Sequence, residues 1–299
     1  MKVFHTPSEV PASFGPSAVT IGNFDGVHTG HRQIMRQVVG TGLTPVVLTF
    51  DPHPAKVLAP DRAPKLLMTM AQRLRAFESE GIATVLVLPF SLEFARLSPE
   101  AFAQKILIDT LKARTILVGE DFRFGYKQEG NVETLQRLGF EVLPAAAILK
   151  RGERISSTAI RKLITEGSVA RACRLLGSPF ALEGPVVKGQ GIGSKQTVPT
   201  LNLAPENEVL PGNGVYVTRA NGIPSITNVG YRPTFDGQGL TVETFLLGPF
   251  DGVTPERIEV QFLAFVRGER RFESPEALKK QILHDAGVAA RLHRRLAKI

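Results

Sequence analysis

The stretch Gly22-Asn23-Phe24-Asp25-Gly26-Val27-His28-Thr29-Gly30-His31 sits between a β-branched apolar run, Ala18 to Ile21, and a helical pattern that begins near His31. A strand that ends in a glycine-bearing loop and feeds a helix presents free N–H groups and the positive end of the helix dipole at one point, so an anion belongs there. Gly22 and Gly30 let that anion approach the backbone. His28 and His31 are three residues apart, on one side of the first helical turn, and both rings can donate to the same phosphate chain. The pair also suits a zinc site. That would need further ligands from a chain with six histidines and one cysteine, and only His53, in Phe50-Asp51-Pro52-His53-Pro54, falls near enough in the pattern.

Outward from this loop, short apolar runs alternate with helical stretches. Strands are expected at Ala18 to Ile21, Val46 to Phe50, Thr84 to Leu88, Thr115 to Val118 and Phe140 to Leu143. Helices are expected near His31 to Val39, Thr69 to Glu80, Pro99 to Leu111, Val132 to Leu138, Ser157 to Thr165 and Ser168 to Leu176; Ser98-Pro99-Glu100 places a capping hydroxyl before a first-turn proline. This is the pattern of an open parallel α/β sheet, which binds ligands beyond the carboxyl ends of its strands. Two further segments fall at such ends. Gly119-Glu120-Asp121-Phe122-Arg123-Phe124-Gly125 offers aromatic faces and a guanidinium. Arg154-Ile155-Ser156-Ser157-Thr158-Ala159-Ile160-Arg161 places hydroxyls at a helix start with Arg161 one turn in, which serves either as an ordinary N-cap or as a grip on pyrophosphate. The phosphate contact offered by His28 and His31 suits nucleotidyl transfer, in which the protein positions groups and neutralises developing charge.

The texture changes at Gly177-Ser178-Pro179. From Phe180 the runs are short and β-branched, at Phe180 to Val187, Gly214 to Arg219, Ser225 to Val229, Thr241 to Leu246 and Ile258 to Phe265. Such runs without helices between them predict an antiparallel barrel, with a C-terminal helix opened by Ser274-Pro275-Glu276. The expected domains are therefore 1–179 and 180–299. In the second, Lys188-Gly189-Gln190-Gly191-Ile192-Gly193 can cradle phosphate. Pro199-Thr200-Leu201-Asn202 offers a hydroxyl and a carbonyl oxygen to a hard cation. Glu243, among apolar and β-branched neighbours, is either a general base or the outward residue of an alternating strand.

Length and composition bound the function classes. The 299 residues suffice for two cores; 43% apolar and 21% charged residues exclude disorder. Cys173 alone rules out an intrachain disulfide and a multi-cysteine zinc site. The start lacks the apolar run of a signal peptide and no stretch is long enough for a membrane span, so the chain reads as cytoplasmic with no membrane partner. The 36 Lys+Arg against 28 Asp+Glu give +8, which calls for an anionic partner. Without a basic block interleaved with aromatics, that partner is read as nucleotide phosphate and not as nucleic acid.

Taken together, Gly-Asn-Phe-Asp-Gly-Val-His (22–28), Phe-Asp-Pro-His-Pro (50–54), Asp-Phe-Arg-Phe-Gly (121–125) and Ile-Ser-Ser-Thr-x-Ile-Arg (155–161) resemble the FMN adenylyltransferase module of the bacterial bifunctional riboflavin kinase/FAD synthetases. Pro-Thr-x-Asn (199–202), Asn-Val-Gly-x-Arg-Pro-Thr-Phe (228–235), Glu243 and the closing Phe272 to Ile282 resemble their riboflavin kinase module, a six-stranded barrel with a C-terminal helix. The resemblance implies that riboflavin, FMN and ATP are the small-molecule partners, with Mg2+ as the cofactor. In the first module it implies catalytic roles for His28, His31 and Arg161, and binding roles for Gly22, Asn23, Phe24, Asp25, Gly30, Asp51, Asp121, Phe122, Arg123, Arg154, Ser156, Ser157 and Thr158. In the second it implies Glu243 as the base, Thr200 and Asn202 at the metal, and Lys188, Gly189, Gly191, Gly193, Pro199, Asn228 and Arg232 as binding residues. Gly193-Ser194-Lys195-Gln196-Thr197-Val198 departs from the family's Gly-Arg-x-Leu/Ile-Gly-Phe. The alternative is therefore an FMN adenylyltransferase whose barrel only binds flavin.

Overall fold

A computed structural model describes residues 1–145, 149–150, 153–187, 200–234, 237–249, 252–270 and 273–296. The chain divides into two compact units, Met1–Ser156 and Ser157–Ile299.

The first unit runs β1 (Lys2–Phe4), β2 (Ser17–Ile21), α1 (Thr29–Gly40), β3 (Thr44–Asp51), α2 (Pro54–Leu58), α3 (Met70–Ser79), β4 (Thr84–Pro89), α4 (Pro99–Phe102, widening into a π-helical stretch Ala103–Thr110), β5 (Ala113–Gly119), α5 (Val132–Arg137), β6 (Glu141–Ala145) and the short pair β7 (Leu149–Lys150) and β8 (Glu153–Arg154). Six parallel strands lie in the order β1-β4-β3-β2-β5-β6. The central strands are nearly continuous apolar runs because helices cover both faces of a parallel sheet; all five residues of β2 are buried. On one face Val19, Ile21, Val46, Leu48, Leu86 and Leu88 pack with Phe102 and Leu107; on the other Ala18, Val47, Val85 and Val87 pack with Met35, Val38 and Phe77. Strand order reverses between β2 and β5, and the crevice at their carboxyl ends is where such sheets bind ligands. β1 was not among the expected strands: three residues carry no readable periodicity, and Lys2, Val3 and Phe4 become a strand by pairing with Thr84, Val85 and Leu86.

The second unit opens with α6 (Ser157–Thr165) and α7 (Val169–Leu176) and continues with β9 (Phe180–Val187), β10 (Thr200–Leu203), β11 (Gly214–Ala220), β12 (Ile223–Thr234), β13 (Gly237–Leu246), β14 (Arg257–Arg267) and α8 (Pro275–Leu296). The strands close as an antiparallel barrel, β10-β13-β12-β11-β14-β9. Four buried hydroxyls bond across its interior, Ser225 to Thr218 at 2.9 Å, Thr218 to Thr227 at 2.8 Å and Thr227 to Thr244 at 2.9 Å, so each of these four has a partner. Ala289 and Leu292 of α8 cover Val215, Val217 and Ile226 on the outer face. The change of texture at Pro179 and the division by packing differ in position. α7 lies against β9 and β14, and the Cys173 thiol donates to the Phe262 carbonyl at 3.3 Å, so the helix pair belongs with the barrel by contact although it resembles the first half in composition.

Candidate active sites

The loop after β2 turns through positive φ at Phe24 (49°), Gly26 (81°) and Val27 (37°). Non-glycine residues hold such angles only where surrounding packing over-determines them. Here the packing is visible: Val27 is fully buried, and the Phe24 ring is wedged edge-on against both His31 (5.1 Å between ring centres) and Phe77 (5.8 Å). Phe24 thus shapes the loop from within. A side chain at Gly22 would meet that ring at 3.2 Å.

His28 caps α1. Its Nδ1 accepts the His31 backbone N–H at 3.3 Å, and the two imidazoles stack with centres 3.6 Å apart and planes 16° from parallel. A neutral ring that accepts at Nδ1 carries its proton on Nε2 and donates there. Burial pushes the His28 pKa down to about 4, and burial together with the neighbouring His28 holds His31 well below the ordinary imidazole value. Near neutral pH the pair is therefore two uncharged N–H donors at the first turn of α1, where Thr29 and Gly30 lie.

Asp25 is buried and its carboxylate accepts the Leu67 N–H at 2.9 and 3.1 Å and the Met68 N–H at 3.3 Å, tying the loop to the approach of α3. Arg73 of α3, 2% exposed, donates from Nη1 to the Asn23 carbonyl at 2.9 Å. Burial lowers its pKa, opposed by the charges of Asp25 and of Asp51 at the end of β3. No sequence motif marks Arg73. The available signal is its spacing, since it lies three residues after Met70 and four before Phe77, on the packed side of α3.

Beside the loop a cleft of about 720 Å³ opens at the carboxyl ends of β2 to β5. Gly22, Asn23, Phe50, Phe90, Phe94 and Phe122 are among its lining residues. Phe90 and Phe94 were not foreseen; they follow β4 and pack edge-on against each other (5.7 Å), and Phe90 packs edge-on against Phe50 (5.6 Å). Phe122 stacks on Phe124 at 5.6 Å, while Asp121 and Arg123 are exposed at the mouth. Gly125, at φ 73° and with no room for a side chain against Pro99, turns this loop back into the cleft wall. Among the described residues no three His, Cys, Asp or Glu side chains are grouped to hold a metal ion, so the zinc reading of His28 and His31 finds no further ligands there. His53 instead caps α2, its Nδ1 accepting the Ala55 N–H at 3.1 Å.

Arg154 ends β8 and Ser156 is half-buried at the close of the first unit. Ser157 and Thr158 begin α6 in the second unit, where Arg161 Nη1 donates to Thr158 Oγ1 at 3.5 Å.

In the barrel, Asn202 on β10 and Asn228 on β12 both pair with Glu243 on β13. Residues directly opposite in an antiparallel pair share a face, so the carboxylate is flanked by two amides. Val242 and Thr244 are buried on the interior side, and Glu243 is half-buried on the outer side with Thr200, Asn202 and Phe245. Of the two sequence alternatives, the outward residue of an alternating strand is the observed position, but two asparagines shelter it there. Thr200 and Asn202, two apart on β10, present only oxygen as candidate metal donors, the chemistry that Mg2+ prefers. Arg232 pairs with Gly239. Lys188, Gly189, Gly191, Gly193 and Pro199 lie outside the described residues, as does the departing run 194–198.

Residues 11–159 match the model of the FAD synthetase family, and residues 176–293 match that of riboflavin kinase. The bifunctional riboflavin kinase/FMN adenylyltransferase of Escherichia coli K12 is 35% identical over 294 residues, covering 94% of this chain and 93% of its own. That of Pseudomonas fluorescens is also 35% identical, covering 91% of this chain and 92% of its own. A crystal structure described as a macrolide-efflux protein from Streptococcus pneumoniae matches 96% of this chain and 98% of its own at 28% identity and a TM-score of 0.87. No helix among the described residues here is long and apolar enough to cross a membrane. With both domain models in order along one chain and relatives matched nearly end to end, the protein belongs to the bifunctional riboflavin kinase/FMN adenylyltransferase family.

Proposed function

We propose that residues 180–299 phosphorylate riboflavin to FMN with ATP and that residues 1–179 adenylylate FMN to FAD with a second ATP. The observation that carries the second step is the stacked, neutral His28–His31 pair at the start of α1, beside an aromatic cleft of flavin-accommodating size. In that step an FMN phosphate oxygen attacks the α-phosphorus of ATP, the bond to the β-phosphate bridging oxygen breaks, and pyrophosphate leaves. His28 and His31 donate to the phosphate oxygens that gain charge, and the α1 amides add to them. The flavin ring lies against Phe50 and Phe122, with Asp121 and Arg123 at the mouth. Ser157, Thr158 and Arg161 are the groups assigned to the departing pyrophosphate. No covalent enzyme intermediate is needed, because phosphate is itself the nucleophile.

In the kinase step Glu243 takes the proton of the riboflavin 5′-hydroxyl as that oxygen attacks the γ-phosphorus of ATP, and ADP leaves. Asn202 and Asn228 flank the carboxylate and fix its orientation. Mg2+, when bound, would lie at Thr200 and Asn202 and would neutralise phosphate charge. Lys188 to Gly193 and Arg232 complete the phosphate and flavin contacts. The barrel as a purely flavin-binding module is not favoured, since the riboflavin kinase family model spans residues 176–293.

The test is a time course of purified protein with riboflavin, ATP and Mg2+, separated by chromatography. FMN that rises first and FAD that follows is the expected result. FAD from supplied FMN with nothing formed from riboflavin would leave an adenylyltransferase alone.

A further inference from the structure

We propose that Arg73 is a positioning residue for adenylyl transfer, holding the Asn23–Asp25 backbone in the shape that aims His28 and His31 without itself touching substrate. The inference rests on the adenylyltransferase reading of the first unit.

Three observations lead there. First, the loop needs an external hold: Phe24 and Val27 sit at φ 49° and 37°, conformations that relax unless something opposes them. Second, that hold comes from α3. Its first turn is fixed by a reciprocal cap between Thr69 and Gln72, with N–H donors to Thr69 Oγ1 at 3.2 Å and to Gln72 Oε1 at 3.0 Å. The two residues just before that cap, Leu67 and Met68, donate their amides to Asp25, and Arg73 one turn on donates to the Asn23 carbonyl. The loop is thus gripped on both sides of Phe24, whose ring touches His31. Third, the charges require it. Asp25 and Asp51 both act on Arg73, and two carboxylates near a triphosphate site would repel the ligand unless a cation stood between. A guanidinium supplies that cation in a rigid fork of donors, whereas a lysine ammonium at the same depth would be a point charge on a flexible stem.

Asn23 Oδ1 and Arg73 Nε are also both buried with no hydrogen-bond partner among the described residues. A buried polar atom left over is tolerated where conformation matters more than stability, which is the expectation for a part of a catalytic support.

The experiment uses the full chain with Arg73→Lys and Arg73→Met. From each preparation riboflavin phosphorylation, FMN adenylylation and the 15N resonances of His28 and His31 are measured. For Arg73→Lys the expected result is kcat for adenylylation down by at least about 30-fold, the scale of loss that small misplacements cause. KM for ATP should stay within about threefold, riboflavin phosphorylation within about twofold, and the His28 and His31 resonances should shift. Wild-type kcat in Arg73→Lys would overturn the proposal. So would a rise in KM alone, which would make Arg73 a binding group. If Arg73→Met fails to fold, Arg73→Lys decides by itself, and loss of both activities together in the lysine variant would reduce Arg73 to a structural role. If the wild type makes no FAD from FMN, the functional reading fails, and the histidine resonances decide the positioning claim: unchanged in Arg73→Lys, they overturn it.

Discussion

Lowering the pH should weaken the fold around the histidine pair well before the two imidazoles themselves take up a proton. His28 has an ordinary pKa of 6.5 and is held at about 4 in the folded chain because its ring is buried. Between those values the unfolded chain binds a proton that the folded chain refuses, so stability is fully present above about pH 6.5 and declines as the pH falls toward 4. At pH 5 the unfolded form is favoured by a factor of about 30 from this group alone, or about 2 kcal/mol, against almost nothing at pH 7.5. His31 acts in the same direction, since protonating it beside a stacked imidazole adds repulsion to desolvation. Two measurements check this. Titration of 15N-histidine resonances should show both rings neutral down to about pH 5. Hydrogen exchange of the β2 and β3 amides, corrected for intrinsic rates, should show wild type losing about 2 kcal/mol more than His28→Asn between pH 7.5 and 5. Asparagine keeps a capping acceptor, so the variant removes the titration and spares the cap. A His28 ring that titrates near 6.5, or equal losses in the two proteins, would refute the argument that burial controls this site.

Other perturbations read other links. Glu243→Gln should lower riboflavin phosphorylation by about 10² to 10⁴ while FMN adenylylation stays within a few fold; a surviving kinase rate would show that another group takes the proton. Glu80→Ala removes the carboxylate that accepts Arg32 at 2.6 Å and Arg36 at 2.7 Å, and so should loosen α1 by about 1–3 kcal/mol, seen as faster amide exchange along that helix. Gly125→Ala places a methyl 2.7 Å from the Pro99 nitrogen at φ 73°, which should cost about 1–3 kcal/mol and weaken FMN binding in a flavin-fluorescence titration.

How much of this was visible in residue order depends on the range of the force involved. The β2–loop–α1 segment was legible because glycine spacing, an apolar run and two histidines one turn apart are local properties, and the capping geometry that results is local too. The barrel was legible from short alternating runs, and its sixth strand, β10, is only four residues long and was read merely as the motif that carries Thr200 and Asn202. The packing of Phe24 was not legible: a positive-φ turn sends its ring inward, edge-on against His31 and Phe77. Glu243 could be given a strand but not its neighbours, since Asn202 and Asn228 come to it only through register with two other strands.

Residue order by itself therefore determined the change from an open parallel sheet to an antiparallel barrel and most of the strands and helices, because periodicity, turn chemistry and side-chain type act over a few residues. The tertiary structure alone decided that Arg73 is buried under the loop and feels the charges of Asp25 and Asp51, that Phe50, Phe90 and Phe94 converge on one cleft, and that burial pushes both imidazoles toward the neutral form. Each of these is a matter of burial and of contacts between distant segments, and desolvation, unlike spacing, exists only once the chain has closed around the group.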